Sequence, residues 1–167
     1  SYYPKSPSRQ PTTEDEVAAI EKEFGWPLPK TVRIGMKADY AASVFKNGEI
    51  AMHVASGPRS EGGRFLANFQ RLNRPIEIVG SSRAVREWVA NQKGSWHSNV
   101  IVIAEGGGGE MLCLRYGADG IAEPEVWWLN AMMPTMEEGF YKVADTFDEF
   151  IEKLITDDEY VRLGFEL

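Results

Sequence analysis

The sequence predicts an α+β fold, a mainly antiparallel sheet with helices at its flanks. Three observations predict this class. The helix-starting pattern Thr-x-x-Glu occurs twice, at Thr13 and at Thr146. Two apolar strands, 99–105 and 111–116, flank a four-glycine turn, and an aromatic strand at 125–129 follows them. Strands joined by short turns pair antiparallel, so the helices should cover the sheet rather than alternate with its strands.

The first helix is predicted to start at Thr13 and to end at Gly25. The Thr13 hydroxyl can accept from the amide of Glu16, and the Glu16 carboxylate can accept from the amide of Thr13, which makes a capping box. Glycine readily takes the left-handed backbone that ends many helices. The apolar residues of one helical face are Val17, Ile20 and Phe24. Residues 1–11, before this helix, carry three prolines and are expected to form a flexible arm.

The middle of the chain carries weaker patterns. Residues 38–45 fit a helix, and residues 50–54 alternate as in a short strand. Residues 75–79 are predicted to form another strand. Ser82 is then predicted to cap a helix. The apolar residues that this helix would turn toward the core are Val85, Trp88 and Val89.

A second capping box is predicted near the end of the sequence, at Thr146 and Glu149. The apolar face of the helix that follows consists of Phe147, Phe150, Ile151 and Leu154. Residues 161–167 alternate as in a half-buried strand or an extended tail.

The composition is that of a soluble globular protein. Of 167 residues, 43% are hydrophobic, 11% aromatic and 26% charged, which separates the chain from disordered sequences. No apolar run approaches the roughly 18 residues of a membrane span. The start of the sequence lacks the regions of a signal peptide. The single cysteine, Cys113, fits a reducing compartment. One domain over residues 12–167 is expected.

The charge balance is acidic. Eighteen Lys and Arg oppose 25 Asp and Glu, which gives a formal net charge of −7. Lys5 and Arg9 lie in the opening arm, so residues 12–167 carry 16 basic against 25 acidic side chains, or −9. Binding to nucleic acids or anionic membranes depends on basic side chains, and the sequence argues against both. An acidic surface suits a basic protein partner. The alternative is that the acidity only keeps the protein soluble.

The motifs that come close to phosphate-binding sites are incomplete. Residues 106–109 are four glycines between two strands, whereas a phosphate-binding loop needs a helix N-terminus after its glycines. A hairpin turn is predicted instead. Gly57 and Gly62 have the spacing of a P-loop, but Gly63 and Arg64 stand where Lys and Ser or Thr are required.

Histidine and cysteine provide no catalytic or metal-binding set. His53 and His97 lie 44 positions apart, and neither has a second ligand at metal-binding spacing. Cys113 lies between two leucines of a strand, where a small buried side chain is the ordinary case. No catalytic residue, no metal and no cofactor are therefore predicted.

Three stretches of the sequence together match the pattern of a known protein family. The first is the opening helix with its Leu-Pro turn, residues 14–29, and the second is Trp96 with the strand–glycine–strand core. The third is Val-Ala-Asp-Thr-Phe-Asp-Glu-Phe, residues 143–150. They resemble the SUKH superfamily, the Smi/Knr-type family that includes many bacterial immunity proteins. Residues 129–131 are Leu-Asn-Ala where that family often has Asp-His-Glu, so no functional residue is carried over.

The resemblance implies a SUKH-like domain over residues 12–167 without enzymatic activity. It implies a protein that neutralises a cognate toxin by stoichiometric contact in the cytoplasm of the producing cell. Toxins of this kind are typically nucleases, deaminases or other enzymes, and the acidity suits a basic one. Two alternatives stay open: a regulatory or scaffolding module of the same fold, and an enzyme whose site assembles from scattered carboxylates.

Four acidic residues and one tryptophan are the candidate partner-binding residues. Glu105 and Glu110 flank the glycine turn, and Glu137 and Glu138 precede the last helix. Trp127 is one of two adjacent tryptophans in a strand, so one of them should face the core and the other outward. An exposed tryptophan is a typical interface anchor. The alternative is that both tryptophans are covered.

Overall fold

Helices flank antiparallel sheets, which confirms the predicted α+β class. The computed structural model describes residues 12–37, 51–55, 66–68, 72–91, 99–105, 109–117, 122–130, 139–156 and 162. The helices in this part of the chain are α1 Glu14–Phe24, α2 Lys30–Lys37, α3 Pro75–Ala90 and α4 Phe147–Glu152. The strands are β1 Ala51–Ala55, β2 Leu66–Asn68, β3 Val100–Glu105, β4 Glu110–Arg115, β5 Glu125–Asn130, β6 Phe140–Ala144 and β7 Leu154–Thr156.

The strands form two sheets where the sequence predicted one. The larger has the order β3-β4-β5-β6, and the smaller has the order β2-β1-β7. β3 and β4 form the predicted antiparallel hairpin, with Ile101 opposite Leu114. Gly109, at the start of β4, has a φ of 80°, which glycine adopts without steric cost. β7 pairs with β1, and this contact between distant segments leaves no local pattern in the sequence.

The first helix is confirmed together with its capping box. Thr13 Oγ1 accepts from the Glu16 amide at 3.2 Å, and Glu16 Oε1 accepts from the Thr13 amide at 3.1 Å. Gly25 ends the helix with a φ of 78°, and its amide donates to the Glu21 carbonyl at 2.8 Å. Acidic side chains in the first turn complement the positive end of the helix dipole.

The strand predicted over residues 75–79 is wrong, because these residues begin α3. Pro75 lies in the first helical turn, where its missing N–H removes no helical hydrogen bond, and Glu77 accepts from the Arg74 amide at 3.2 Å. Apolar and polar residues alternate within 75–79 as they do in a strand. The spacing of apolar residues that is typical of a helix becomes visible only over the whole of α3. Ser82 is buried in mid-helix and is not an N-cap. The residues expected to face the core do so: Val85, Trp88 and Val89.

One of the two hydrogen bonds of the second predicted capping box is confirmed. Thr146 Oγ1 accepts from the Glu149 amide at 3.1 Å, as predicted. The Glu149 carboxylate accepts from the Asp145 amide at 3.0 Å instead of the Thr146 amide. The helix ends at Glu152, earlier than predicted, and Leu154 belongs to β7.

Five other predictions concern short segments. The strand predicted over 50–54 is present as β1, and the aromatic strand over 125–129 is present as β5. The arm at 1–11, the helix at 38–45 and, apart from Arg162, the segment 161–167 lie outside the described residues.

The larger sheet is covered unequally on its two faces, between which strand side chains alternate. The first face packs in a large cluster against α1, α2 and α4. Its strand residues in the larger sheet are Ile101, Ile103, Ala104, Leu112, Leu114, Val126, Trp128, Val143 and Ala144. The second face packs in a smaller cluster against α3, which lies mainly on β3. Its buried strand residues are Val100, Val102, Cys113, Leu129 and Phe140.

The outer edge of β3 is closed by α3 and the residues before it. The Ser82 hydroxyl accepts from the Val102 amide at 2.8 Å, and the Asn73 amide donates to the Ile103 carbonyl at 2.7 Å. The pairing of β3 with β4 shifts between Val102 and Ala104, and this irregularity lies where α3 supplies the side-chain partner. A satisfied edge offers little to an added strand.

Candidate protein-binding surface

Two of the predicted acidic residues lie at the turn end of the larger sheet. Glu105 is exposed, lies opposite Met111, and accepts a hydrogen bond from the Ser81 hydroxyl of α3. Opposite residues of an antiparallel pair share a face, so Glu105 lies on the second face beside Met111. Glu110 is half-buried and is the first residue of the neighbouring strand, β4.

The other two acidic candidates belong to the sequence between β5 and β6. Asn130, the last residue of β5, lies opposite Glu110. Glu137 and Glu138 themselves lie outside the described residues.

Trp127 is half-buried on the second face, whereas its neighbour Trp128 is buried on the first, which confirms the expected alternation. The Arg115 guanidinium lies 4.4 Å from the centroid of the Trp127 ring, and the Phe140 ring centroid is 4.9 Å away. The indole Nε1 donates to Glu125 Oε1 at 3.1 Å. These contacts fix the orientation of a tryptophan that keeps part of its surface accessible.

A charged network lies beside Trp127. Lys142 Nζ is 3.0 Å from Glu125 Oε2 and also contacts the Asp145 carboxylate. Partial burial acts to raise the pKa of Glu125, but hydrogen bonds from Lys142 and Trp127 hold it below its ordinary value. Hydrogen bonds to Asp145 and Glu125 raise the pKa of Lys142 to about 12, and Lys142 lowers the pKa of Asp145. All three groups are therefore charged at neutral pH.

A second half-buried tryptophan, Trp26, packs against the first cluster. Its ring stacks on Tyr116 with centroids 5.1 Å apart, and the Arg86 guanidinium is 4.7 Å from its centroid. The Tyr116 hydroxyl donates to the Pro27 carbonyl at 2.8 Å. Burial raises the pKa of Tyr116, so this hydroxyl stays protonated and remains a donor. The turn after α1 is thereby fixed to the end of β4.

Arg86 connects α3 to α1 and to β3. Its guanidinium lies 4.6 Å from the Phe24 centroid as well as over Trp26, and its Nε donates to the Val100 carbonyl at 3.4 Å. Burial lowers the pKa of Arg86, and the charge of Glu23 opposes that effect. Its Nη2 is buried without a hydrogen-bond partner. The two aromatic rings, the Val100 carbonyl and the charge of Glu23 together compensate for a partly desolvated charge.

The predictions about reactive groups fall mostly on buried or undescribed residues. Cys113 is fully buried in β4, and burial raises the pKa of its thiol, which disfavours the thiolate. His53 lies in β1, and His97 lies outside the described residues. In the described ranges, no three His, Cys, Asp or Glu side chains are close enough to hold a metal ion. None of the described helices has the length and apolar character needed to cross a membrane.

The sequence predicted Trp127 as a candidate anchor but did not predict the residues that contact it. Arg115, Glu125 and Lys142 look like ordinary charged strand residues when each is taken alone. Only the register, with Arg115 opposite Glu125 and Trp127 opposite Lys142, brings them together on one face. The available signal was the two-residue spacing of Glu125 from Trp127, which places both side chains on the same side of β5.

Known proteins resemble this chain at the level of the family. No curated protein and no solved structure matches it. The model of the SMI1 / KNR4 family (SUKH-1) matches residues 11–153. That range includes α1 to α4, both strands of the glycine hairpin and the surface around Trp127. The chain therefore belongs to the SMI1 / KNR4 family (SUKH-1), as the three sequence stretches indicated.

Proposed function

We propose that this chain is an immunity protein that binds a cognate bacterial toxin stoichiometrically and neutralises it. The observation that carries the proposal is the SUKH-1 family match over residues 11–153, since toxin immunity is a known role of that family. The formal net charge of −7 supports a basic toxin, such as a nuclease or a deaminase. In this proposal the chain acts in the cytoplasm of the producing cell and catalyses no reaction.

The contact is proposed to lie at the turn end of the larger sheet and on Trp127. Glu105 is exposed there, and Glu110 lies on the adjoining strand. Glu137 and Glu138, between β5 and β6 in the sequence, are included in the proposal as acidic residues before α4. Glu105 shares the second face with Met111 and Trp127, so this face combines long-range attraction of a basic partner with a site for tight packing, whereas Glu110 lies by strand alternation on the first face.

The test of function is co-expression with the toxin domain encoded by the neighbouring gene. The expected result is that the chain restores growth of the host and purifies with the toxin in a one-to-one complex. Growth arrest that persists, with no complex formed, would contradict the immunity role. A neighbourhood without any toxin gene would favour the alternative, a regulatory or scaffolding module of the same fold.

The test of the acidic contact is charge reversal at Glu105 and Glu110. Each change to Lys should weaken toxin binding by about 2 kcal/mol or more if the carboxylate is desolvated in the complex, and should mainly slow association if it lies at the rim. Glu152→Lys is the matched control, because Glu152 is an exposed carboxylate at the end of α4. Unchanged affinity and association rate for both variants, at low and at moderate salt, would remove Glu105 and Glu110 from the contact.

A further inference from the structure

Among the described helices, none covers the part of the second face of the larger sheet that lies beyond β3. α3 lies mainly on β3, so the side chains that β4, β5 and β6 present on this face are only partly covered. We call these residues the Trp127 face: Met111, Arg115, Glu125, Trp127 and Lys142. Met111 and Trp127 are half-buried, and both pack on the small second cluster.

The Trp127 face is held rigid before any partner arrives. Arg115 stacks on the indole, Glu125 accepts from its Nε1, and Lys142 in turn binds Glu125. The side chains of Glu125 and Lys142 keep 38% and 41% of their surface exposed, and Trp127 remains half-buried although Arg115 lies over its ring. A tryptophan fixed in this way loses little side-chain freedom on binding, and that saving favours tight association.

Three of the five residues of this face, Trp127, Met111 and Arg115, are of types enriched at the centre of protein interfaces, whereas Glu125 and Lys142 are of types found at the polar rim. Trp, Met and Arg are enriched in such centres, where an aromatic anchor carries much of the binding energy. Arg115 and Lys142 are balanced by Glu125 and the neighbouring Asp145, so this part of the face is close to neutral. The turn end is not neutral, because exposed Glu105 lies opposite Met111.

We infer that the Trp127 face is the anchor site for a basic toxin. The toxin inserts an apolar side chain over Trp127 and Met111 and places a Lys or Arg against Glu105. This inference rests on the proposed function and adds the chemistry of the partner's contact segment. Charge favours this occupant over a second copy of the chain, since two copies of net charge −7 repel each other.

The test measures binding of the neighbouring gene's toxin domain to the native chain and to three variants. Trp127→Leu removes the aromatic anchor, and Met111→Lys sets a positive charge against a basic partner. We expect each to weaken binding by about 30-fold or more, the loss typical of an interface hot spot. Trp26→Leu is the matched control, because Trp26 is also half-buried with an Arg and an aromatic ring beside it. It should bind like the native chain.

Each other outcome overturns part of the proposal. If the native chain binds and either Trp127→Leu or Met111→Lys binds equally well, the shared anchor site is wrong and the immunity function stands. If the native chain does not bind the toxin, the proposed function fails and the assignment of the occupant fails with it. If the native chain is a dimer that Trp127→Leu dissociates, the occupant is a second copy. Thermal unfolding of every variant identifies any loss of binding that comes from loss of folding.

Discussion

Trp26 and Trp127 are half-buried in similar surroundings, yet they connect different parts of the molecule. Each has an arginine over its ring and a second aromatic ring within about 5 Å. The partners of Trp26 come from α3 and from the end of β4. The turn around Trp26 is held by the hydrogen bond from the Tyr116 hydroxyl to the Pro27 carbonyl. The partners of Trp127 come from adjoining strands of a single sheet.

We propose that this difference separates a structural role from a binding role. The Trp26 cluster joins the turn after α1 to α3 and to the end of β4, so it contributes to the packing of the fold. The Trp127 cluster lies on strands that are already paired, so in this proposal its fixed orientation serves a partner. The same pair of residue types, tryptophan and arginine, would then stabilise the fold in one region and form a binding surface in the other.

The largest effect expected from this comparison is a difference in stability between two alanine variants. Trp26→Ala should lower the free energy of unfolding by about 3 kcal/mol, because it creates a cavity and also strips a ring from Arg86. Trp127→Ala should lower the free energy of unfolding by about 1.5 kcal/mol, because the side chains around Trp127 remain accessible to water after the ring is removed. Urea unfolding of both variants measures the difference. Equal losses would break the comparison.

The position of α3 relative to both clusters can be tested at two adjacent serines. Ser82→Ala leaves the buried Val102 amide without its acceptor and should cost about 1.5 kcal/mol of unfolding free energy. Ser81→Ala removes a hydroxyl bound to exposed Glu105 and should cost less than about 0.5 kcal/mol. Urea unfolding compares the two. A Ser81→Ala loss as large as that of Ser82→Ala would contradict the closure of the β3 edge by Ser82.

The smallest effect concerns pH and the network beside Trp127. The folded-state pKa values of Glu125 and Asp145 lie below their ordinary values, so the stabilisation by Lys142 is present at neutral pH and is lost as pH falls through those lowered values. Lys142→Met should therefore lower the unfolding midpoint slightly near pH 7, and the difference should shrink toward about pH 3. Lys30→Met, at an exposed site on α2, is the control. A difference that grows in acid would contradict the network.

Local patterns predicted the parts of the fold that local chemistry determines. The capping box at Thr13 and the glycine-linked hairpin depend on residues a few positions apart, and both are confirmed. The start of α3 was misread because Pro-Ile-Glu-Ile-Val, at 75–79, alternates like a strand, while its helical role comes from packing along β3. The pairing of β7 with β1 depends on contacts between distant segments, which no short pattern contains.

The candidate surface was predictable in its residue types and not in its arrangement. Alternation predicted that one of the adjacent residues Trp127 and Trp128 faces the core and the other outward, and the structure places Trp128 in the core. Arg115 and Lys142 were not predicted, because their approach to Trp127 depends on the register of three strands. The placement of Glu105 beside Met111 likewise follows from the shifted pairing of β3 with β4.

The central claim is that a basic toxin docks on the Trp127 face while the Trp26 region stays outside the contact. Hydroxyl-radical footprinting tests it directly, since Met and Trp side chains are oxidised in proportion to their exposure. In the complex with the neighbouring gene's toxin domain, oxidation of Met111 and Trp127 should fall severalfold, and oxidation of Trp26 should not change. Protection of Trp26 with Met111 and Trp127 still oxidised as in the free chain would contradict the account.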